Sequence, residues 1–193
     1  RQSRHNGTYY WKNAKSDCSN NNLDIRSDAR SIHREANMPG HVDADVVVKA
    51  LRAMLNEAFA EVKGSFLDKN TSILETLDGP SASEVSKPIS AQGTSIAAHV
   101  NHLNFYLDEV LYAAEHGQRD IDWDASWQVE RVSDEEWANL KSRTRRTYEQ
   151  ISQLMESLTP ELITLHLGGA ISVIAHAAYH LGAIRQIMNV VKN

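Results

Sequence analysis

Residues 133–158, SDEEWANLKSRTRRTYEQISQLMESL, carry the clearest helix signal in the chain. Ser133 and Glu136 have the spacing of a capping box, in which each side chain hydrogen-bonds the free backbone N–H of the other residue. Large side chains then recur every three or four residues, which predicts one buried stripe made of Trp137, Leu140, Thr144, Tyr148, Ile151, Met155 and Leu158. Thr159-Pro160 is expected to end this helix, because a residue before proline disfavours the α conformation.

The same periodicity predicts three further long helices. The first has Asp43 as its N-cap, and Gly64 is placed where a glycine would end it. The second runs from about Ser95 to His116 and is closed by Gly117. The last follows Gly168-Gly169 and continues to the C-terminus.

The connection at residues 65–93 is long and is expected to contain one short helical turn around Ile73-Leu74-Leu77. No alternating strand pattern and no internal repeat occurs. Four amphipathic helices, with the long connection between helices 1 and 2, predict an all-α, up-down four-helix bundle.

Composition excludes several classes of protein. Hydrophobic residues make up 41% and charged residues 23% of 193 residues, as in ordinary globular domains. A net charge of -5 argues against nucleic-acid binding, and we expect no apolar run long enough to cross a membrane. The single cysteine, Cys18, favours a reducing compartment, so a cytoplasmic location is expected.

Residues 1–37 differ from the rest of the chain. They have a net charge of +3 and few aliphatic side chains, and they show no helical period. We expect an irregular N-terminal extension, derived from cloning or upstream sequence, and a single domain over residues 38–193. The alternative is a native arm that packs on the domain or on a partner through Tyr9, Tyr10 and Trp11.

Three histidines on two predicted helices are candidate metal ligands. His176 and His180 are four residues apart, so their imidazoles share one helix face about 6 Å apart along the axis. Both flank the apolar stripe of the last helix, and His102 lies near the inner side of the second helix. Neutral imidazole suits zinc, nickel, copper and iron. An H-x-x-x-H pair alone also fits ordinary partly buried histidines.

Two familiar metal motifs are absent from this pattern. The residue after His176 is Ala177, whereas a zincin motif has glutamate there. The pair also lacks the Glu-x-x-His spacing of di-iron bundles. A metalloprotease and a di-iron oxygenase are therefore not expected.

Two segments resemble the DinB/YfiT-like family of helical bundles. Residues 94–107, TSIAAHVNHLNFYL, resemble the second helix of that family, in which a metal-binding histidine stands seven residues after the serine. Residues 176–187, HAAYHLGAIRQI, resemble its last helix, H-x-x-x-H-x-G-x-I-R. The resemblance covers about residues 43–191 and implies His102, His176 and His180 as the three ligands.

The resemblance also implies function. Members of the family are typically homodimers that hold zinc, nickel or another divalent ion, and some are S-transferases or isomerases that use a low-molecular-weight thiol. We therefore expect a divalent-metal cofactor, with a low-molecular-weight thiol as a second cofactor, a small-molecule substrate and a homodimer. The resemblance matches Arg185 as well, for which a structural ion pair or a dimer contact is expected.

Several neighbouring residues are candidates for lining a pocket beside the ion. Aromatic candidates are Tyr106, Tyr179 and Trp123, and Asp122 and Trp127 lie in the same loop as Trp123, although core packing is favoured for Trp127 and Trp137. His99 is weighed as a fourth ligand, as a donor to a ligand or as a core residue, and His166 is a weaker candidate.

Three functional hypotheses follow from these features. The first is a metal-dependent enzyme for thiol-dependent S-transfer or isomerisation. The second is a non-catalytic metal-binding or stress-response protein, and the third is a structural dimer with inert histidines. Metal content separates the third hypothesis from the first two, and turnover separates those two from each other.

Overall fold

The computed structural model describes residues 42–91 and 93–191, and this part of the chain is all-helical, with six α-helices and no strand. Its β-type pairing is an isolated bridge between Pro88 and Ser95. The expected extension at residues 1–37, with Tyr9, Tyr10, Trp11 and Cys18, lies outside the described residues.

Helix α1, Ala44–Phe59, begins as predicted but ends earlier than predicted. Asp43 is its N-cap, and the carboxylate accepts a hydrogen bond from the backbone N–H of Asp45 at 2.9 Å. The prediction that Gly64 ends this helix is wrong, because the chain leaves the helix at Ala60. The buried Glu57 accepts hydrogen bonds from the N–H groups of residues 65–67, which folds the following loop back onto the helix.

The connection between the first two long helices contains two short helices. Helix α2, Ile73–Leu77, confirms the predicted turn and is capped by a Ser72–Glu75 capping box. Helix α3, Ala82–Val85, was not predicted, although Ser81 and Glu84 form a second capping box. The spacing of serine and glutamate three residues apart therefore indicates where both helices begin. The helices themselves are too short to show an apolar period.

Helix α4, Ile96–His116, matches the sequence expectation, whereas α5, Asp134–Glu156, begins as predicted but ends before Leu158, the last residue of its predicted stripe. The hydroxyl oxygen of Ser95 caps α4 by accepting a hydrogen bond from the backbone N–H of Ala98. Gly117 follows the helix with φ +82°. The predicted Ser133–Glu136 capping box begins α5. Between the two helices, Ala125–Trp127 forms a 3₁₀ turn that lies against α4.

Helix α6, Pro160–Val191, is longer than predicted. The expectation that it begins after Gly168-Gly169 is wrong, because both glycines lie inside the helix. Helix α5 has already ended at Glu156, so Pro160 does not end it as predicted. Pro160 instead starts α6, since proline is favoured at the first helical position, where its missing N–H costs nothing.

By length and composition α6 also meets the requirements for a membrane span. Its most apolar window has a mean hydropathy of 1.5, and 28% of that window is buried. The expectation that no apolar segment reaches this length is therefore wrong. A core helix of a soluble protein meets the same requirements, and α6 contributes buried Val173, Ala177, Leu181 and Ile184 to the interior.

The four long helices share one hydrophobic core. Helices α1 and α4 each pack against both α5 and α6. All four contribute fully buried side chains, among them Leu55, Phe59, Leu103, Leu107, Ile151, Leu181 and Ile184. Trp137 lies in this core as predicted, and its indole N–H donates to the carbonyl of Pro80 at 3.0 Å. Burial of each aliphatic side chain contributes about 1.5–3 kcal/mol to the free energy of unfolding. This core therefore holds α4 and α6 side by side.

Candidate metal centre

The three predicted ligands converge between α4 and α6. His102 lies on α4, and His176 and His180 lie one turn apart on α6. One potential ligand atom from each of the three lies within 4.8 Å of the others. The Nε2 atoms of His176 and His180 are 3.1 Å apart. The packing of two helices has therefore joined residues that are more than seventy positions apart in sequence.

His102 is held by the 3₁₀ turn at Ala125–Trp127. Its Nδ1 lies 2.6 Å from the hydroxyl of buried Ser126. The indole of Trp127 stacks on its ring, with centroids 4.0 Å apart and an interplanar angle of 18°. Asn101 donates a hydrogen bond of 2.8 Å to the carbonyl of Ser126 and so ties the turn to α4.

His180 is held from the other side by His99. The Nδ1 atoms of His99 and His180 are 3.0 Å apart, and the Nε2 of His99 lies 2.9 Å from the hydroxyl of Thr94. Both imidazoles are buried. His99 thus contacts a candidate ligand, His180, directly and lies outside the group of three that could hold an ion.

His176 is the half-buried member of the group. The ring of Tyr106 stacks on it with a centroid distance of 3.9 Å, and Trp123 lies 6.1 Å from His102 and 6.3 Å from Tyr106. Tyr179 is mostly exposed, and its edge contacts His180 at 5.1 Å. Aromatic rings therefore surround the imidazoles on the side where His176 is accessible.

The environment keeps all of these imidazoles neutral. Burial and the neighbouring His99 lower the pKa of His102 to about 4, and burial and His102 lower the pKa of His176 to about 4. Burial, followed by the charges of His176, His99 and His102, lowers the pKa of His180 to about 2. Burial also lowers the pKa of His99 and raises that of Tyr106 to about 12. The histidines are therefore in the form that binds metal.

The donor set fits a divalent transition metal. Two nitrogens bound to one tetrahedral ion at about 2.0–2.1 Å are about 3.4 Å apart, close to the 3.1 Å between His176 and His180. Hydrogen bonds from the remaining ring nitrogen to a neighbouring group, as at His102 and His180, are typical of metal-binding histidines. These residues could hold a metal ion, and imidazole ligands leave its identity open among several transition metals.

Other predicted residues lie elsewhere. His166 is half-buried on the wall of an apolar cavity of about 520 Å³ between α4, α5 and α6. Asp122 is exposed, and its carboxylate accepts from the N–H groups of Asp124 and Ala125, so it shapes the 3₁₀ turn. Arg185 is half-buried and forms no ion pair with any residue in the described part of the chain, so of its two expected roles the dimer contact stays a prediction.

A more polar cavity lies beside the centre. Its volume is about 1070 Å³, and its wall includes Thr94, Ala98, Trp127, Lys87 and Arg131. Thr94 and Trp127 both contact His99. None of the three histidines lines this cavity or the apolar one.

Two residues of the centre, Ser126 and Thr94, were not predicted from the sequence as site residues. Trp127 was a pocket candidate for which core packing was favoured, and its indole stacks on His102. Ser126 and Trp127 come from an irregular loop with no period to read. The concentration of tryptophan and aspartate at residues 122–127 was the available signal.

No protein-family model, curated protein or solved structure matches the chain. The function is therefore inferred from the sequence and from the geometry of the site.

Proposed function

We propose that this protein is a DinB-like four-helix bundle that binds a divalent metal, zinc or nickel in the first instance, and uses it in thiol-dependent S-transfer or isomerisation of a small molecule. The observation that carries the proposal is the convergence of His102, His176 and His180 from two helices. The packing of α1 and α4 against both α5 and α6 supports the bundle. The two segments at residues 94–107 and 176–187 support the family.

The chemistry follows from the charge of the ligands. A divalent ion held by three neutral imidazoles acts as a Lewis acid that favours the thiolate form of a thiol, which is the nucleophilic form. Within residues 42–91 and 93–191, no carboxylate forms an ion pair or a hydrogen bond with His102, His176 or His180. The protein's own contribution would be to hold the imidazoles neutral and to offer aromatic walls through Tyr106 and Trp123.

The first test is metal content. We expect about one zinc or nickel ion per chain after loading and dialysis, and less than about a tenth of that in His176→Ala. His166→Ala is the matched control, because His166 lies on a different cavity, and it should bind like the wild type. Equal and negligible metal in the wild type and in His176→Ala would support inert histidines instead.

The second test is turnover. Metal-loaded protein should accelerate the reaction of at least one small electrophile with a low-molecular-weight thiol, and His176→Ala should not. A panel of thiols and electrophiles with no acceleration above background would remove the enzymatic part of the proposal.

The non-catalytic alternative has one observation in its favour. None of the three cavities of about 520, 1070 and 810 Å³ in the described part of the chain is lined by His102, His176 or His180. A metal-binding or stress-response protein would show one tightly held ion per chain with no turnover. We further propose a homodimer and a cytoplasmic location, the former on the apolar residues that α6 exposes.

A further inference from the structure

The hydroxyl of Ser126 lies between two partners that together determine its hydrogen bonding. Its oxygen is 2.6 Å from the Nδ1 of His102 and 2.6 Å from the carbonyl oxygen of Trp123. Ser126 is buried, with 2% of its surface exposed. A serine hydroxyl has one hydrogen to donate, and the Trp123 carbonyl can only accept, so that hydrogen goes to Trp123.

The consequence for His102 is a single tautomer. Because the hydroxyl hydrogen of Ser126 is committed to Trp123, its oxygen must accept from His102, and the ring proton of His102 must therefore be on Nδ1. When a neutral imidazole has its proton on Nδ1, its Nε2 carries a lone pair that is free to bind a metal ion. This is the form that a metal ligand needs, since the hydrogen bond at one ring nitrogen decides which other nitrogen can bind.

The orientation of the ring is restrained as well. Trp127 covers one face of His102, and Asn101 holds the carbonyl of Ser126 at 2.8 Å. The hydrogen bond from Asn101 holds the backbone of the turn against α4, and the turn restrains the ring of His102 through Trp127. No such restraint acts on Nε2, which carries no hydrogen bond from any described residue.

We propose that Ser126 is a positioning residue that presets His102 for coordination through Nε2 before any ion binds, and that Asn101 holds Ser126 in place for this purpose. The proposal rests on the metal centre proposed above and adds to it a residue outside the ligand set. Ser126 does not touch the ion in this arrangement. It acts through His102.

His99 completes the same arrangement on the opposite side. For His180 to bind an ion through Nε2, its Nδ1 must donate to the Nδ1 of His99, and the Nε2 of His99 must then donate to the hydroxyl of Thr94. Two hydroxyls on different segments, that of buried Ser126 and that of half-buried Thr94, thereby lie at the outer ends of the hydrogen bonds that the proposed ligands make.

The test compares Ser126→Ala with Ser157→Ala. Ser157 is a matched control, because its hydroxyl also donates to the carbonyl three residues earlier, Leu154, but it contacts no histidine. We expect Ser126→Ala to weaken zinc affinity about 10–100-fold, measured by competition with a chromophoric chelator. Ser157→Ala should bind as the wild type does, and Ser126→Thr, which keeps the hydroxyl, should recover most of the affinity.

A second variant and a second measurement separate positioning from folding. Asn101→Ala removes the support of the turn while leaving Ser126 intact, and it should weaken zinc affinity in the same direction. In metal-free protein with ¹⁵N-labelled histidine, NMR should place the ring proton of His102 on Nδ1 in the wild type and in Ser157→Ala. In Ser126→Ala, the Nε2–H form should appear.

The outcomes distinguish this inference from the proposed function. Unchanged zinc affinity in Ser126→Ala, or a ring proton on Nε2 of His102 in the metal-free wild type, would overturn the role of Ser126. If the wild type binds no divalent ion, the proposed metal centre fails. The NMR measurement needs no metal and still decides whether Ser126 sets the tautomer of His102.

Discussion

The indole of Trp127 stacks on the imidazole of His102, with ring centroids 4.0 Å apart. The same indole lies 5.2 Å from His99 and 5.7 Å from His180. A tryptophan in direct contact with the imidazole of a proposed ligand is a natural probe for ion binding, because its emission depends on its immediate surroundings.

Nickel binding should therefore quench tryptophan emission through Trp127. A paramagnetic ion bound at His102 would lie close to this indole. We expect Trp127→Phe to bind nickel, by calorimetry, within about threefold of the wild type, since phenylalanine keeps the stacked ring. It should lose part of the quenching, and Trp123, whose ring centroid lies 6.1 Å from that of His102, should account for the rest.

Trp137→Phe is the control for this prediction. Trp137 donates to the carbonyl of Pro80 and makes no ring contact with the three histidines. Its replacement should leave the quenching in place. Full quenching in Trp127→Phe would contradict the role of Trp127 as the probe, and full quenching that persists when Trp123 is also replaced by phenylalanine would mean that the ion binds elsewhere.

Metal binding should also raise thermal stability. A ligand that binds only the folded state adds about 2.7 kcal/mol to the free energy of unfolding at a hundred times its Kd. For a domain of this size the Tm should rise by about 5–10 °C. His166→Ala should show the same rise and His176→Ala none, measured by circular dichroism with zinc and with a chelator. A similar rise in His176→Ala would contradict binding at the three histidines.

The parts of this structure that sequence predicts are those governed by local period. The Ser133–Glu136 capping box and the stripe that follows it gave the start of α5, and the spacing of His176 and His180 placed both rings on one face of α6. Their meeting with His102 was expected from a resemblance, together with the inward position of that residue on its helix.

The parts that sequence reasoning missed depend on contacts between distant residues. Helix α1 ends earlier than predicted, and the Glu57 carboxylate accepts hydrogen bonds from three backbone N–H groups of the loop that follows. Helix propensities do not predict these contacts. Ser126 meets His102 across twenty-four positions, through a turn with no periodic pattern. Gly168-Gly169 remain helical inside α6, although glycine is disfavoured there.

Glu57 should make stability depend on acid pH. Burial opposes ionisation of this carboxylate, but hydrogen bonds from the N–H groups of Phe66, Leu67 and Ser65 outweigh it and lower its pKa from 4.5 to about 2. A carboxylate with a lowered pKa stabilises the fold above its unfolded pKa. This stabilisation is lost as the pH falls from about 4.5 to about 2.

Glu57→Gln tests this dependence. Glutamine would keep one oxygen for Phe66 and Leu67 but would turn an N–H group toward the N–H of Ser65. We expect a Tm lower by about 3–10 °C at pH 7, with the difference from the wild type shrinking between pH 5 and pH 2. The exposed Glu130→Gln should melt as the wild type does. A difference that stays constant with pH would refute the assigned cause.

The outer side of α6 should form the contact between two copies of the chain. Large apolar side chains on this helix are exposed to solvent, including Leu165 at 66% and Ile171 at 51%. Burying each of them against a second copy would contribute about 1.5–3 kcal/mol. Sedimentation at micromolar concentration should therefore show a dimer, and Leu165→Glu combined with Ile171→Glu should give a monomer, because two buried carboxylates would be left unpaired. Ile89→Glu, in the loop before α4, changes an exposed apolar residue away from α6 and should remain dimeric. A wild-type protein that sediments only as a monomer would leave the apolar side of α6 without this role.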